Sequence, residues 1–513
     1  MISVALGLAL GLLPSAPPAA PAAANARTLA SEGRKLFEAG RLEEARARLE
    51  QAAALEPAWA TPLLLLGRVH QARGVLPAAA AAYERALASD PNLAEAHDGL
   101  GFVLGQLGQT ADAIAHFRRA VELQPDLFDA HYHLGATLWW TRDYAGARPA
   151  LEAAVRLRPT HAEALYYLGL ALRQLGELAP AVEKLRRAVA AAPTLAQARL
   201  QLGVTLQQLG DLEGAIASLR RAVALDPRLV DAKNALGLAL SLDGQSDEAI
   251  GLLRGLVAEQ GDHGPARQNL GSALMHAGKL EDAIAVYREL IARSPMSAEA
   301  HYNLGLALKQ RDDFAGAETS LRRAIELDPQ LPDPPYTLGV VLWQTGRFEE
   351  AAQAFREALA RRSDYADAQF MLGTVLQQRG DAPGALAAFR KAIEIAPDSA
   401  EAHLSLAQLL QRRGEAEAAR AELHEAERLR RKKADQQAAT FAIDLGKRRL
   451  AGKDLAGAVA SFREAVRLSP EDPQAHLRLA RALETQGNKA EASSHLDEAY
   501  RLAPHLKLAQ GDR

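Results

Sequence analysis

Histidines are the side chains of this chain best able to bind a metal or to move a proton near neutral pH. The sequence contains fourteen. Five of them recur in one register of a 34-residue period: His97, His131, His301, His403 and His476. His131 and His133 cannot share a metal, because residues two apart on a helix point about 200° away from each other. We therefore interpret the recurring histidines as packing residues with a polar tip, and the sequence predicts no metal site.

The sequence lacks the motifs of the common catalytic and cofactor sites. It has no Gly-x-Gly-x-x-Gly loop, no phosphate-binding Gly-Lys-Ser/Thr loop and no His-Glu-x-x-His helix. The absence of cysteine excludes disulfides, thiol catalysis, cysteine-ligated zinc and a cysteine-linked lipid anchor. The net charge of −3 and the pI near 6.6 argue against nucleic-acid binding. The sequence therefore predicts a protein that is not an enzyme and needs no cofactor.

Aromatic and amide side chains point instead to peptide binding. Rings supply apolar area, and amides pair with the N–H and C=O groups of an extended backbone. The aromatic candidates form two groups, one within residues 132–166 and one within 302–370, and the asparagine candidates lie just before and inside the second group. The candidates are Tyr132, Trp139, Trp140, Tyr166, Asn269, Tyr302, Asn303, Tyr336, Trp343 and Phe370. The alternative is that these rings only pack between adjacent helices.

A 34-residue repeat must position these side chains. Alanine recurs at this interval fourteen times: Ala45, Ala79, Ala113, Ala147, Ala181, Ala215, Ala249, Ala283, Ala317, Ala351, Ala385, Ala419 and, after a slip of five residues, Ala458 and Ala492. Twelve residues before each alanine stands a glycine or alanine, and proline usually follows twelve residues after it. Small residues allow two helices to approach closely, and proline ends a helix. A fixed period of this length indicates a solenoid of helix pairs, whose units bury apolar surface only against their neighbours.

The chain resembles the tetratricopeptide repeat family. Residues 300–305, Ala-His-Tyr-Asn-Leu-Gly, are close to the signature of the first helix, with histidine where tryptophan is common. Ala317, Leu321, Ala324 and Pro329 occupy the matching places of the second helix. The resemblance implies an all-α solenoid, a right-handed superhelix of stacked antiparallel helix pairs called A and B.

Fourteen repeats cover nearly the whole chain in this interpretation. Their first residues are 26, 60, 94, 128, 162, 196, 230, 264, 298, 332, 366, 400, 439 and 473, and positions are counted from these. In the family, positions 2, 5, 6, 9, 12 and 13 of helix A line a concave groove in which peptides bind. The aromatic candidates stand at positions 5, 12 and 13, and Asn269 and Asn303 stand at position 6.

The first 26 residues differ from all that follow. They have no charged side chain, a ten-residue apolar run from Val4 to Leu13, and then several prolines. Ten residues are too few to span a bilayer, and the pattern is typical of a signal peptide. Cleavage after Ala24 would leave Asn25 as the N-cap of the first helix, whereas cleavage after Ala26 would remove it. The alternative is a disordered Ala/Pro-rich extension on a cytoplasmic protein.

Two breaks interrupt the repeat. Residues 434–438 are an insertion between repeats 1–12 (27–433) and repeats 13–14 (439–506), followed by a tail at 507–513. No glycine or proline occurs in 415–445, so the two flanking helices are expected to fuse, and the basic run 428–433 is interpreted as a solvated helix surface. Around residues 256–264, glycine replaces the usual proline, which indicates either a hinge or a local change of superhelical pitch.

The sequence thus favours an exported, periplasmic or secreted scaffold that binds peptide segments or partner proteins, with no nucleic acid and no membrane-spanning segment in the mature chain. One alternative is a cytoplasmic adaptor or co-chaperone with an uncleaved N-terminus. Another is the repeat arm of a transferase that attaches N-acetylglucosamine to proteins. Only Asn269 and Asn303 resemble that arm, and the few residues after Leu506 leave no space for a catalytic domain.

Overall fold

The computed structural model describes residues 20–504 and 506, which form helices and no strand. About 81% of the chain is helical, far above the one third of an average globular protein. The helices are α1 Ala20–Glu38, α2 Leu42–Leu55, α3 Ala60–Ala72, α4 Leu76–Ser89, α5 Ala94–Gln106, α6 Thr110–Leu123, α7 Phe128–Trp140, α8 Tyr144–Leu157, α9 Ala162–Gln174, α10 Leu178–Ala191, α11 Ala196–Gln208, α12 Leu212–Leu225, α13 Val230–Leu242, α14 Ser246–Glu259, α15 Gly264–His276, α16 Leu280–Arg293, α17 Ala298–Gln310, α18 Phe314–Leu327, α19 Asp333–Gln344, α20 Phe348–Arg361, α21 Ala366–Gln378, α22 Ala382–Ile395, α23 Ala400–Arg412, α24 Ala416–Ala451, α25 Leu455–Leu468, α26 Pro473–Gln486 and α27 Lys489–Leu502.

Each regular repeat is a pair of packed helices joined by a three-residue turn. The turn needs one residue with positive φ, which glycine adopts without strain, as Gly108 does at 81°. Arg142, Asp312 and Lys453 adopt the same conformation at 62–64° where the chain has no glycine. The all-α prediction and the prediction of stacked helix pairs are therefore confirmed.

The glycine at position 8 sets how closely helix A approaches helix B. A Cβ atom placed on Gly101 would lie 2.8 Å from Cε1 of Phe117 and 3.0 Å from the carbonyl oxygen of Ala113. The side chain sixteen residues later covers this glycine in the other repeats that have one, for example Leu151 over Gly135. The small residue therefore makes room for a large buried residue at position 24.

Two alanine substitutions in α5 test this contact. Gly101→Ala is expected to lower the free energy of unfolding by about 1–3 kcal/mol, because it overpacks the helix crossing. Gly105→Ala should raise it by up to about 1 kcal/mol, because alanine favours a helix and the nearest atom to its Cβ, on Ala113, lies at 3.8 Å. Urea unfolding of both variants measures the difference, and equal effects would contradict the crossing.

The N-terminal helix begins earlier than expected. Helix α1 starts at Ala20 and continues through Asn25, so the prediction that Asn25 caps the first helix is wrong for this chain. Ala26 is fully buried, so the packed part of the first helix begins at the expected first residue of repeat 1. The apolar run Val4–Leu13 lies outside the described residues. In the part of the chain that is described, every helix is too short or too polar to cross a membrane.

The chain divides into two compact units, with the boundary between Pro193 and Thr194. The first unit contains repeats 1–5 and the second contains repeats 6–14. Residues 256–264 lie inside the second unit, where buried Leu253, Leu256 and Leu270 belong to one continuous apolar cluster. A hinge at 256–264 stays a prediction.

The longest helix of the second unit is α24, with 36 residues. It contains helix B of repeat 12, residues 434–438 and helix A of repeat 13. The large apolar cluster of the second unit reaches Ala419. The clusters of repeats 13 and 14 form separately and begin at Ala439. The long helix therefore interrupts the core as well as the period.

Candidate peptide-binding surface

Neighbouring A helices lie side by side in a fixed register. Residues 35 apart, one repeat plus one position, form hydrogen bonds across the helix pair. In the first unit, Nδ1 of His133 lies 2.8 Å from Oδ1 of Asp98. In the second unit, Nε1 of Trp343 donates to Oε1 of Gln378 at 2.8 Å. Within each unit, positions 5, 6, 12 and 13 of successive A helices therefore form a continuous face.

Five aromatic residues of α7 and α9 form a cluster on this face, which we call the aromatic patch. Its ring centroids are 5.1 Å apart for Trp139 and Trp140, 5.4 Å for Trp139 and Tyr167, 5.4 Å for Tyr166 and Tyr167, and 6.3 Å for Tyr132 and Tyr167. Four of the rings are half-buried, whereas Trp140 is 69% exposed. The structure thus brings together all the candidates of the first group, and it leaves Trp140 open to solvent.

Sequence reasoning missed Tyr167, the ring that joins the patch. It stands at position 6 of repeat 5, directly after the candidate Tyr166. A search of position 6 for aromatic residues as well as for asparagine would have found it. Tyr167 contacts Trp139 and Tyr132 on the neighbouring helix, so it links the two A helices.

The polar groups of the patch differ in their use. The indole N–H of Trp139 is buried without a hydrogen-bond partner among the described residues. Burial raises the pKa of Tyr132 to about 12, and its ring packs against Phe128 and His161. Tyr132 and Trp139 are therefore mainly packing residues, and Trp140 is the exposed ring of the patch.

The second group of aromatic candidates is more engaged in packing. Trp343 already donates its indole N–H to Gln378. The ring of Tyr336 contacts that of Tyr365 in a tilted arrangement with centroids 4.9 Å apart, and the rings of Phe370 and Phe389 have centroids 5.9 Å apart. Burial raises the pKa of Tyr302, partly opposed by its hydrogen bond with Thr337. All four candidates of the group (Tyr302, Tyr336, Trp343 and Phe370) are half-buried.

The two asparagine candidates lie one repeat apart in the second unit. Asn269 donates its amide to Oδ1 of Asn234 at 2.9 Å, across the same 35-residue register. Asn303 is half-buried at the equivalent position of the next repeat. These residues lie in the unit without the exposed tryptophan, so the structure does not bring them together with the aromatic patch.

A polar groove that sequence reasoning missed lies in the first unit beside the patch. Its cavity is about 380 Å³, and we define it by Arg68, Gln71, Tyr83, Glu95, Asp98 and His133. Gly99 at position 6 leaves room for the ring of Tyr83 in this groove, because a Cβ atom on residue 99 would lie 2.5 Å from Cζ of Tyr83. The hydroxyl of Tyr83 thus reaches the groove and donates to Oε1 of Gln71 at 2.8 Å. The signal in the sequence is a glycine at a position that usually carries a larger residue.

Charge in the polar groove is mainly negative. Arg68 pairs with Glu95 at 2.7 Å, while Asp98 bonds His133 and a further carboxylate, Asp129, lines the cavity. His133 also contacts Phe102 at 5.1 Å and Tyr132 at 5.6 Å. The groove and the aromatic patch are therefore contiguous through His133.

The recurring histidines have a structural role at the turns. Each directs Nε2 to the carbonyl oxygen of the proline six residues earlier, at 2.9–3.2 Å: His97, His131, His301, His403 and His476. Arg267 replaces histidine in repeat 8 and donates to the carbonyl oxygen of Gly261 at 2.9 Å. These contacts satisfy carbonyl groups at the start of helix A, which agrees with the interpretation as packing residues with a polar tip. Among the described residues, no group of three or more His, Asp or Glu has metal-binding geometry.

Two histidine pairs have the same geometry, His97 with His116 and His476 with His495, and we expect the first to be sensitive to acid. Nδ1 of His97 and Nδ1 of His116 are 2.8 Å apart, so one ring must donate and the other must accept. Burial lowers the pKa of both histidines below 6.5, and Arg119 adds to the effect at His97. At His116 the charge of His97 acts in the same direction, whereas Asp112 and Glu84 oppose it. The folded pair therefore favours the neutral form.

The free energy of unfolding should fall as the pH drops from 7 to 5. Unfolded histidines take up protons near pH 6.5, whereas the folded pair resists protonation, so the stability is present above that pH and lost below it. His116→Gln keeps a hydrogen-bond donor for His97 and should flatten the profile. Melting temperatures across this range provide the measurement, and equally steep profiles for both proteins would contradict the assignment.

Comparison with known proteins places the chain among repeat proteins. Tetratricopeptide repeat models match residues 26–51, 67–108, 105–139, 137–196, 206–244 and 443–506. A model of the C-terminal domain of cilia and flagella-associated protein 70 matches residues 228–442. No curated protein matches the chain in sequence.

Several solved structures are similar to parts or most of the chain. YrrB, a TPR protein with an unusual peptide-binding site, is 25% identical over 39% of this chain and 99% of its own, with a TM-score of 0.35. PilF of Pseudomonas aeruginosa is 20% identical over 42% of this chain and 97% of its own, with a TM-score of 0.38. A chain of the Naa15/Naa10 complex bound to HypK is 16% identical over 95% of this chain and 96% of its own, with a TM-score of 0.33.

Repeat models and helix pairs, rather than these low TM-scores, identify the family. The models extend from residue 26 to residue 506, and the paired helices recur with the same period. The chain is therefore a member of the tetratricopeptide repeat family.

Proposed function

We propose that the protein is a binding scaffold without catalytic activity, which holds peptide segments of partner proteins on the A-helix face of its first unit. The observation that carries the proposal is Trp140, which is 69% exposed at the edge of a cluster of four other rings. Most large apolar residues of such a solenoid are buried, so an exposed tryptophan supported by packed neighbours is typical of a binding anchor.

The contacts of the first unit suggest how a peptide would lie. An apolar or aromatic side chain of the peptide would pack against the exposed ring of Trp140. The chain would then pass His133 and enter the polar groove. There the carboxylates of Glu95, Asp98 and Asp129 outnumber Arg68 and Arg158, which pairs with Asp129 at 3.6 Å, and this balance favours a lysine or arginine of the peptide.

Selection of peptides from a random library tests this function. The full chain is immobilised, and selected peptides are measured by isothermal titration. We expect peptides with an apolar or aromatic residue followed or preceded by a basic one, and the loss of affinity when either is replaced by alanine. Selected peptides that are acidic, or that tolerate both replacements, would contradict the proposal.

Export is a second part of the proposal and is supported by the sequence alone. The apolar run Val4–Leu13 and the small residues before Asn25 are typical of a signal peptide. Cleavage after Ala24 would remove the first five residues of α1 and keep the buried Ala26. Sequencing the N-terminus of the protein from its native cells should give Asn25, whereas Met1 in the mature protein would favour the cytoplasmic adaptor.

A further inference from the structure

The residue at position 3 of helix A is buried in the regular repeats. Ten repeats have alanine there, and all ten side chains are fully buried: Ala96, Ala130, Ala164, Ala198, Ala232, Ala266, Ala300, Ala368, Ala402 and Ala475. Repeat 13 has Phe441 at this position, and its side chain is 63% exposed. A large apolar residue is therefore open to solvent where ten other repeats bury an alanine.

The fused helix explains the exposure. In the regular repeats, helix B of one repeat turns back and packs against helix A of the next, for example α6 against α7. Helix B of repeat 12 and helix A of repeat 13 are both parts of α24, so no B helix turns back towards Phe441. The side of α24 that carries Phe441, which helix B of the preceding repeat covers elsewhere, is thus uncovered here.

Phe441 belongs to a stripe along α24, which we call the open face. Its members are spaced by seven, four, seven and seven residues and fall within about 40° of one another at 100° per residue: Leu423, Arg430, Ala434, Phe441 and Arg448. All five are exposed. Leu423 and Phe441 are about 27 Å apart along the helix, which matches five turns of a second helix.

Positive charge surrounds the open face. Residues 428–449 contain eight lysines and arginines and only two acidic residues. In the described part of the chain, ion pairs engage Arg428, Lys433, Lys447 and Arg449. Arg430 and Arg448 form no ion pair with the described residues, although the charge of Arg430 acts at longer range on Glu401. The two arginines of the stripe are therefore available to a ligand of opposite charge.

We propose that the open face of α24 binds an acidic amphipathic helix of a partner protein, which at Phe441 would take the place of the helix that covers position 3 in other repeats. Leu423 and Phe441 would contact the apolar side of the partner helix, and Arg430 and Arg448 would pair with its carboxylates. A lipid surface fits less well, because a membrane-binding helix needs a continuous apolar face, and Arg430 interrupts this one. The surface lies in the second unit, whereas the aromatic patch lies in the first.

Two designed peptides test the proposal with the full chain. Both are 20-residue helices with the same leucine stripe, and the remaining positions are glutamate in one and lysine in the other. Fluorescence anisotropy should show binding of the acidic peptide and none of the basic one. Phe441→Ala should weaken that binding at least tenfold, and it should not unfold the protein, because alanine is the usual residue at this position.

Leu450 provides the matched control, since it is 41% exposed on the opposite side of the same helix. Leu450→Ala should leave the affinity unchanged within twofold. The proposal is overturned if neither peptide binds, if both bind equally or if Phe441→Ala has no effect. It is also overturned if vesicles with anionic lipid bind through Phe441 while the acidic peptide does not. The proposal is likewise overturned if analytical ultracentrifugation shows that the protein forms a dimer through Phe441, because a second copy of the chain would then occupy the open face.

Discussion

Trp140→Ala is expected to weaken the binding of a library-selected peptide about thirtyfold and to leave the melting temperature unchanged. An anchor of this type contributes about 2 kcal/mol or more to binding, and 1.4 kcal/mol corresponds to tenfold in affinity. The side chain is mostly exposed, so little apolar burial is lost from the folded protein. Isothermal titration and thermal unfolding of the same samples measure both effects.

Gly135→Leu provides the control for Trp140, because both residues belong to α7. A Cβ at Gly135 would lie 2.5 Å from Cγ of Leu151, so this variant should lose stability with or without peptide. A large fall in melting temperature for Trp140→Ala with unchanged affinity would show instead that the tryptophan is a packing residue.

The second large effect is expected from Phe462→Ala in α25. Phe462 is fully buried and covers Gly446 of the helix pair. Truncating a buried phenylalanine costs about 3–5 kcal/mol. Its cluster is small and separate from the main cluster of the second unit, so repeats 13 and 14 should unfold before the other repeats. Hydrogen exchange should therefore lose protection in α25–α27 while α11–α22 stay protected.

Phe389→Ala is the matched substitution, because Phe389 is fully buried at the same position of repeat 11. Its cluster continues into the repeats on both sides, and in a solenoid each interface with a neighbour adds to stability. We expect this variant to lower the melting temperature without separate unfolding of its repeat. Equal behaviour of the two variants would contradict the separate core of repeats 13 and 14.

Much of the fold could be predicted from the sequence because the same contact recurs in each repeat. The small residue at position 8 and the alanine at position 20 mark the helix crossing, and the structure has a crossing at each regular repeat. The start of the first helix could not be predicted from Asn25. This residue is a good N-cap, but the alanines before it favour a helix, and α1 begins at Ala20. The predicted helix start rested on one residue, whereas the predicted period rested on fourteen repeats and was therefore more reliable.

The candidate site could be predicted only in part. Helical position identified Trp140 as the side chain furthest from packing, which its exposure bears out. Helical position could not show that the indole N–H of Trp343 is hydrogen-bonded and that of Trp139 is not, because this depends on the residue present on the next A helix. The polar groove and the exposed Phe441 both depend on what a neighbouring helix leaves uncovered, and a single repeat does not encode that.

Photo-crosslinking from the aromatic patch tests the central claim most directly. A photoreactive phenylalanine analogue at residue 140 keeps an aromatic ring at the site, and the same analogue at Arg118 samples an exposed side of helix α6 in the same unit. With a library-selected peptide bound, we predict a crosslink from residue 140 and none from residue 118. Crosslinks from residue 118 alone, or equally from both, would contradict binding on the A-helix face.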